Sequence, residues 1–224
     1  MTGLHDQLPL VVVGASGHAR VVIDAARQPG RYQIVGLVDT SLKPGTMVDG
    51  VEVVGTDDAL AALAAEHPGL ACVVAIGDNR RREQVMAAIA ANHPEIDFAA
   101  VVHPAAVVPG GVAVGAGAFI AAGAVINPGA RVGEHAIVNT GATIDHDAQI
   151  GAFASIGPNA ALAGNVNVGR GATIGIAACA IPGTSIGAWA VVGAGAVVIR
   201  DVAPGETVVG VPARPLRSPS LPTS

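Results

Sequence analysis

From Val102 to Val198 every sixth residue is apolar. The series Val102, Val108, Val114, Ile120, Ile126, Val132, Val138, Ile144, Ile150, Ile156, Leu162, Val168, Ile174, Ala180, Ile186, Val192, Val198 has (198 − 102)/6 + 1 = 17 members and no gap. With 51% of the chain hydrophobic, chance gives such a run with a probability on the order of 10⁻⁵. Four residues after each anchor stands Ala, Val or Thr, and 13 of these 17 are Ala. A strict register of six means one short strand and one tight turn per repeat, with one large and one small side chain facing inward. With 30 Gly and only 2% aromatic residues, the composition suits such stacking better than an ordinary globular core. An Ala/Gly-rich disordered tract would not place Val or Ile at every sixth position.

The first part of the chain follows other rules. "LPLVVVG", "YQIVGLVDT", "VEVVG" and "ACVVAIGD" read as short buried strands. Between them, "HARVVIDAARQ", "TDDALAALAAEH" and "NRRREQVMAAIAANH" have helical character, and Thr56 is the expected N-cap of the second. Strands alternating with helices imply a parallel sheet, here of about four strands. The expected fold is thus α/β plus all-β. A small parallel-sheet domain (1–98), Rossmann-like by resemblance, is followed by hexapeptide repeats (99–214) that resemble a parallel β-helix and by a C-terminal tail (215–224).

The formal net charge is −5, and Arg80-Arg81-Arg82 is the only run of basic residues, so nucleic acid is not an expected partner. No stretch of ~18 apolar residues runs free of Gly, Pro and charge, and no signal-peptide pattern opens the chain, so no membrane is expected either. Cys72 and Cys179 lie far apart and read as reduced thiols of a cytoplasmic protein. His103, His135 and His146 are eleven or more residues apart, too scattered for a zinc site, so no metal is expected.

"VVGASGHARVV", "LVDT", "AIGDN", the hexad array, "IDHD", "LAGNV" and "VVGVPARPLR" occur in an order that resembles the bacterial nucleotide-sugar acetyltransferases. These include the N-acetyltransferases of 4-amino-4,6-dideoxy sugars of the perosamine and bacillosamine type and the sialic-acid O-acetyltransferases. The resemblance implies a left-handed β-helix, acetyl-CoA as co-substrate, a nucleotide-linked amino sugar as acceptor, and a homotrimer with sites between neighbouring prisms. It also implies a role in surface polysaccharide biosynthesis. By the same resemblance the N-terminal domain holds the nucleotide sugar, through Gly14, Ser16, Gly17, His18, Asp39, Thr40 and Gly77. Independently, the Gly14–His18 loop joins a strand to a helix N-terminus, where free N–H groups can hold phosphate. It has Ser16 where the dinucleotide fingerprint has its middle glycine. Relatives that bind uridine nucleotides often carry two acids where this chain has Asp39-Thr40, which leaves GDP or UDP open and leans toward guanine.

His146 falls two places after the anchor Ile144, at a turn, so it should point outward. Acetyl transfer needs a group that accepts a proton as the new bond forms, and imidazole suits this near neutral pH. A carboxylate on one ring nitrogen fixes the tautomer and raises basicity; the family's motif puts that acid at Asp147, with a further acid at Asp145. The resemblance places Ser155, Gly164, Ile176 and Ala194 along acetyl-CoA, with the Gly164 amide near the thioester. Relatives commonly have histidine where this chain has Ser155. Exposed aliphatic positions such as Val125, Ile137 and Val191 are expected to be covered by another prism. O-acetyl transfer to a sialic-acid-type sugar, an NAD-binding regulatory module and a non-catalytic β-helix scaffold remain the alternatives.

Overall fold

The computed structural model describes residues 7–28 and 30–216, so most of the tail expected from 215 onward lies outside them. The chain opens with β1 (Leu8–Val13), α1 (Gly17–Arg27) and β2 (Tyr32–Val38). Then come β3 (Met47–Val48), β4 (Val51–Gly55), α2 (Leu60–Glu66), β5 (Ala71–Val74), α3 (Asn79–Asn92) and β6 (Asp97–Phe98). They form one six-stranded sheet, β3-β4-β2-β1-β5-β6, parallel except for the β3–β4 pair. The sheet has two strands more than expected, because β3 and β6 are two-residue pieces with no apolar run to announce them. Thr56 does not cap a helix: its side chain makes no cap bond, and a 3₁₀ turn at Asp57–Ala59 precedes α2. β1 reads as a continuous apolar run because both its faces are buried. Leu10 and Val12 pack with α1, and Val11 and Val13 with Leu60, Leu63 and Ile89 of α2 and α3.

From Val101 onward the chain winds into a three-sided prism of two-residue strands, each paired in parallel with the strand 18 residues later. The anchors from Ile120 to Val198 and the small residues four places on form its core. Val102, Val108 and Val114, in the first coil, are only partly buried. From the anchor Val114 to the anchor Val192, the turn of each hexad has a left-handed residue three places after the anchor. Gly fills it at 117, 123, 129, 141, 171, 183 and 195, and Asp147, Phe153, Asn159 and others do so elsewhere.

The three faces differ. One carries Val125, Thr143, Ala161, Cys179 and Val197, and is aliphatic; a second carries Ala113, Arg131, Gln149, Asn167 and Ser185, and is polar. The third, with Phe119, Ile137, Ser155 and Thr173, is docked against the N-terminal domain. Ile137 is therefore not on a bare face as expected: it is 3% exposed, packed with Phe119 among the residues of β1 and α1. The hexad pattern is the same on all three faces, so it does not mark which one the chain covers itself. Burying Phe119 and Ile137 stabilises the docking by roughly 1.5–3 kcal/mol each. Val191, higher on the same face, does stay exposed, and Val125 on the aliphatic face is partly buried.

Candidate active site

His146 sits on the edge between the aliphatic and polar faces, with 56% of its side chain exposed. Its Nδ1 lies 2.9 Å from Asp147 Oδ2. Asp147 can turn back toward its neighbour because it occupies the left-handed turn position, φ 60°, a conformation Asp adopts more readily than most residues. Asp145 Oδ1 accepts from the His146 backbone N–H at 2.7 Å and from Asn127 Nδ2 at 2.8 Å. The Asp147 hydrogen bond first, and then the charge of Asp145, raise the His146 pKa above its ordinary value. With Nδ1–H donating to Asp147, Nε2 is left as an acceptor.

The Nε2 side of the ring faces Gly164, one coil on. A methyl group at Gly164 would stand 2.6 Å from both Nε2 and Cε1, so the ring keeps this place only above a glycine. Gly164 occupies the turn position held by Pro128 and Pro182 on the same edge, before and after it. Proline fits there because the coil ladder does not use that N–H, and the Gly164 N–H makes no backbone hydrogen bond among the described residues.

The other expected residues gather elsewhere. Gly14, Ser16, Asp39 and Thr40 line a pocket of about 270 Å³ above the sheet, together with Asp57, Ile76, Arg81 and Val85. Gly14 has φ +100°, and a Cβ there would lie 3.2 Å from Ala75 O, so only glycine permits this turn. Asp39 Oδ2 accepts from Ala15 N at 2.8 Å and Oδ1 from Ser41 N at 2.7 Å, so its carboxylate braces the two loops that shape the pocket. Gly17 opens α1, and Ser16 stands at the N-cap without a side-chain bond.

His18 and Gly77 part from that group. They line a second cavity, about 250 Å³, at the junction with the prism, together with Asn139, Ser155 and Ile176. His18 stands edge-on to Phe119, its Nε2 has no partner among the described residues, and burial lowers its pKa to about 4. Ser155 donates to Asn79 Oδ1 at 2.6 Å, so its hydroxyl is already engaged. Ile176 is 58% exposed. Ala194 follows it one coil later, on the edge between the docked and aliphatic faces. In a single chain, then, His146, Asp147 and Gly164 share one edge of the prism, and Ile176 and Ala194 share another. An open groove of about 970 Å³ along the polar face is lined by none of the expected residues.

The Arg80-Arg81-Arg82 run is not a basic patch. Arg80 stacks over Trp189 at 4.2 Å, Arg81 lines the loop pocket, and Arg82 is 1% exposed. Arg82 donates to His135 O, Phe153 O and Ile76 O, each at 2.8 Å, and to Asn79 Oδ1 at 2.8 Å. Burial lowers its pKa to about 10, which leaves it charged at neutral pH. Asn79, Arg82, Asn127 and Asn139 are contacts that sequence reasoning missed. For Asn127 a signal existed. On the edge between the polar and docked faces the residue after each anchor is Gly (115, 133, 151, 169, 187), whereas on the His146 edge it is Asn127, Asp145, Ala163 and Ile181. Reading the hexads in threes would have marked this as the edge that displays side chains.

Among the described residues no helix is long and apolar enough to cross a membrane, and no group of three His, Cys, Asp or Glu could hold a metal ion. Residues 9–89 match the family described as the PglD N-terminal domain. Comparison with curated protein sequences gave no match. Among solved structures, the chain is 41% identical to a histidine-to-alanine variant of GDP-perosamine N-acetyltransferase from Caulobacter crescentus, in complex with CoA and GDP-perosamine. That match has a TM-score of 0.87 and covers 94% of this chain and 97% of the other. The acetyltransferase domain of PglB from Neisseria gonorrhoeae, in complex with acetyl coenzyme A, is 37% identical, with a TM-score of 0.86 and 94% and 100% covered. WeeI from Acinetobacter baumannii is 27% identical, with a TM-score of 0.79 and 94% and 100% covered. Near full-length likeness at this identity, with an N-terminal sheet and a hexad prism in the same order, shows that the chain belongs to the family of bacterial nucleotide-sugar acetyltransferases.

Proposed function

We propose that this protein moves an acetyl group from acetyl-CoA to the 4-amino group of a nucleotide-linked 4-amino-4,6-dideoxy sugar, with His146 as general base. One observation carries the residue assignment: Nδ1 of His146 is held by Asp147 while its other nitrogen faces Gly164, whose N–H the coil leaves unused. The neutral amine attacks the thioester carbonyl carbon, and its proton passes to Nε2. The oxygen that gains charge accepts the Gly164 N–H. As the C–S bond breaks, the imidazolium returns the proton to the leaving thiolate. Asp147 keeps Nδ1 protonated throughout and stabilises the charged ring.

The relatives crystallised with CoA, acetyl-CoA and GDP-perosamine support the donor and the class of acceptor. The acceptor's nucleotide goes to the Gly14–Thr40 pocket, and Ser155, Ile176 and Ala194 flank the donor's arm. Because Ile176 and Ala194 lie on a different edge from His146, we assign the complete site to two neighbouring copies in a homotrimer. A cytoplasmic setting, where acetyl-CoA and sugar nucleotides are made, and a supply role in surface polysaccharide synthesis go with this reading.

The test is turnover with acetyl-CoA and GDP-perosamine, read as thiol release and as the product's mass. The expected product carries one acetyl group on nitrogen. His146→Ala should lower kcat by ~10²–10⁴-fold while acetyl-CoA still binds. In the wild type, kcat/KM should rise with pH through a value above the ordinary histidine pKa, since Asp147 and Asp145 raise it. A folded His146→Ala protein with wild-type kcat would remove the base assignment.

A further inference from the structure

We propose that the loop pocket reads the nucleotide's base, and that Asp57 and Arg81 select guanine over uracil there. This rests on the reading that a nucleotide-linked sugar enters by the Gly14–Thr40 loops, and it names what that reading leaves open. Ile76 and Val85 line the pocket and supply apolar wall on which a base could rest. Asp39 is spoken for by the backbone N–H groups of Ala15, Ser41 and Leu42. The charged groups left in the pocket are the Asp57 carboxylate, half-buried, and the Arg81 guanidinium. Neither side chain makes a hydrogen bond or ion pair with another described residue, although both line the same 270 Å³. Their neighbours in sequence behave differently: Asp78 caps α3 by accepting from Arg81 N, and Arg80 and Arg82 are both engaged. An acceptor and a donor left unpaired in one slot are what a polar ring edge requires.

The bases differ at that edge. Guanine presents N1–H beside the exocyclic N2 amine, two adjacent donors that a single carboxylate accepts together, and O6 with N7 as acceptors for a guanidinium. Uracil presents one N–H flanked by two carbonyl oxygens, so a carboxylate there meets one donor and two like partial charges. Arginine's planar fork, unlike an ammonium, can donate to O6 and N7 at once. Asp57 thus reads the two guanine donors, and Arg81 the opposite acceptors.

Isothermal titration of the full chain, without acetyl-CoA, would compare GDP, UDP and inosine diphosphate, which lacks only the 2-amino group. GDP should bind about 10-fold or more tightly than inosine diphosphate, and UDP more weakly still. Asp57→Asn should bring GDP down to the inosine diphosphate level, because an amide accepts once and sets its own N–H₂ against the base amine. Arg81→Gln should weaken both purine nucleotides and keep their ratio. Acetyl-CoA affinity, measured on the same samples, should stay at the wild-type value and so reports that each variant is folded. UDP binding as tightly as GDP, or Asp57→Asn keeping the GDP preference, would overturn the base assignment and leave acetyl transfer standing. Failure of all three nucleotides to bind while acetyl-CoA does would overturn it too, and with it the nucleotide-linked substrate.

Discussion

His146 and the buried histidines show how differently one residue type is used. His146 is exposed and made more basic by acids, whereas His18 and His135 are desolvated and held near a pKa of about 4. Burial is the larger cause for both, and the Arg82 charge adds to it. His135 is stacked on Phe153 with centroids 5.0 Å apart and has no partner for Nδ1 among the described residues, so it serves as an aromatic spacer. The consequence for stability has a definite sign. Both folded-state values lie below the ordinary histidine value of 6.5, so the fold favours the neutral ring. That contribution is fully present above about pH 6.5 and is lost as pH falls toward 4. The urea midpoint should therefore drop across this window, and His135→Phe should flatten the drop while keeping the stack. An unchanged midpoint down to pH 4 would mean these rings are not buried as neutral groups.

At the scale of elements, α3 joins the two domains. Asn79 reaches Thr173 Oγ1 at 3.1 Å, Arg170 pairs with Glu83, and Arg82 ties the helix to the backbone of two prism turns. An arginine buried without a carboxylate survives because several carbonyls share its charge. Arg82→Met should destabilise the protein by about 2–4 kcal/mol in chemical denaturation, since it strands buried carbonyls as well as removing the cation. Arg82→Lys should recover only part, because an ammonium cannot span the same acceptors. A loss below ~1 kcal/mol for Arg82→Met would show that water replaces those bonds. None of this was legible in the sequence, where three consecutive arginines give no sign of which one is buried. Successive helix positions point about 100° apart, and only the position of the prism decides which of the three is buried. The hexads were legible because a period of six survives any choice of face, and the outward turn of His146 followed from it. The ring's seat above Gly164 also follows from that register, since the two positions are 18 residues apart. The covering of Ile137 does not, because it depends on a contact between domains.

At the scale of the molecule, the described residues leave uncovered the two faces of the prism beside the His146 edge. Ile181, exposed at 42%, and Ile199, at 37%, continue that edge above Gly164, and Val107, at 57%, lies toward its other end. Apolar surface of this kind, next to the edge carrying the proposed base and an unused N–H, is what the proposed trimer would cover with a neighbour's edge carrying Ile176 and Ala194. A site split in this way makes a distinctive demand. His146→Ala and Ile176→Arg should each be inactive as pure assemblies, the first lacking the base and the second carrying a bulky charge on the donor's path. Coexpressed with separable tags, the two chains would form mixed assemblies in which a wild-type His146 edge meets a wild-type Ile176 edge once per trimer. Activity of purified mixed assemblies is the most direct measurement of the proposed site. The expected result is recovery to roughly one third of the wild-type rate per trimer. Mixed assemblies as inactive as their parents would contradict it, and would place base and donor within a single chain.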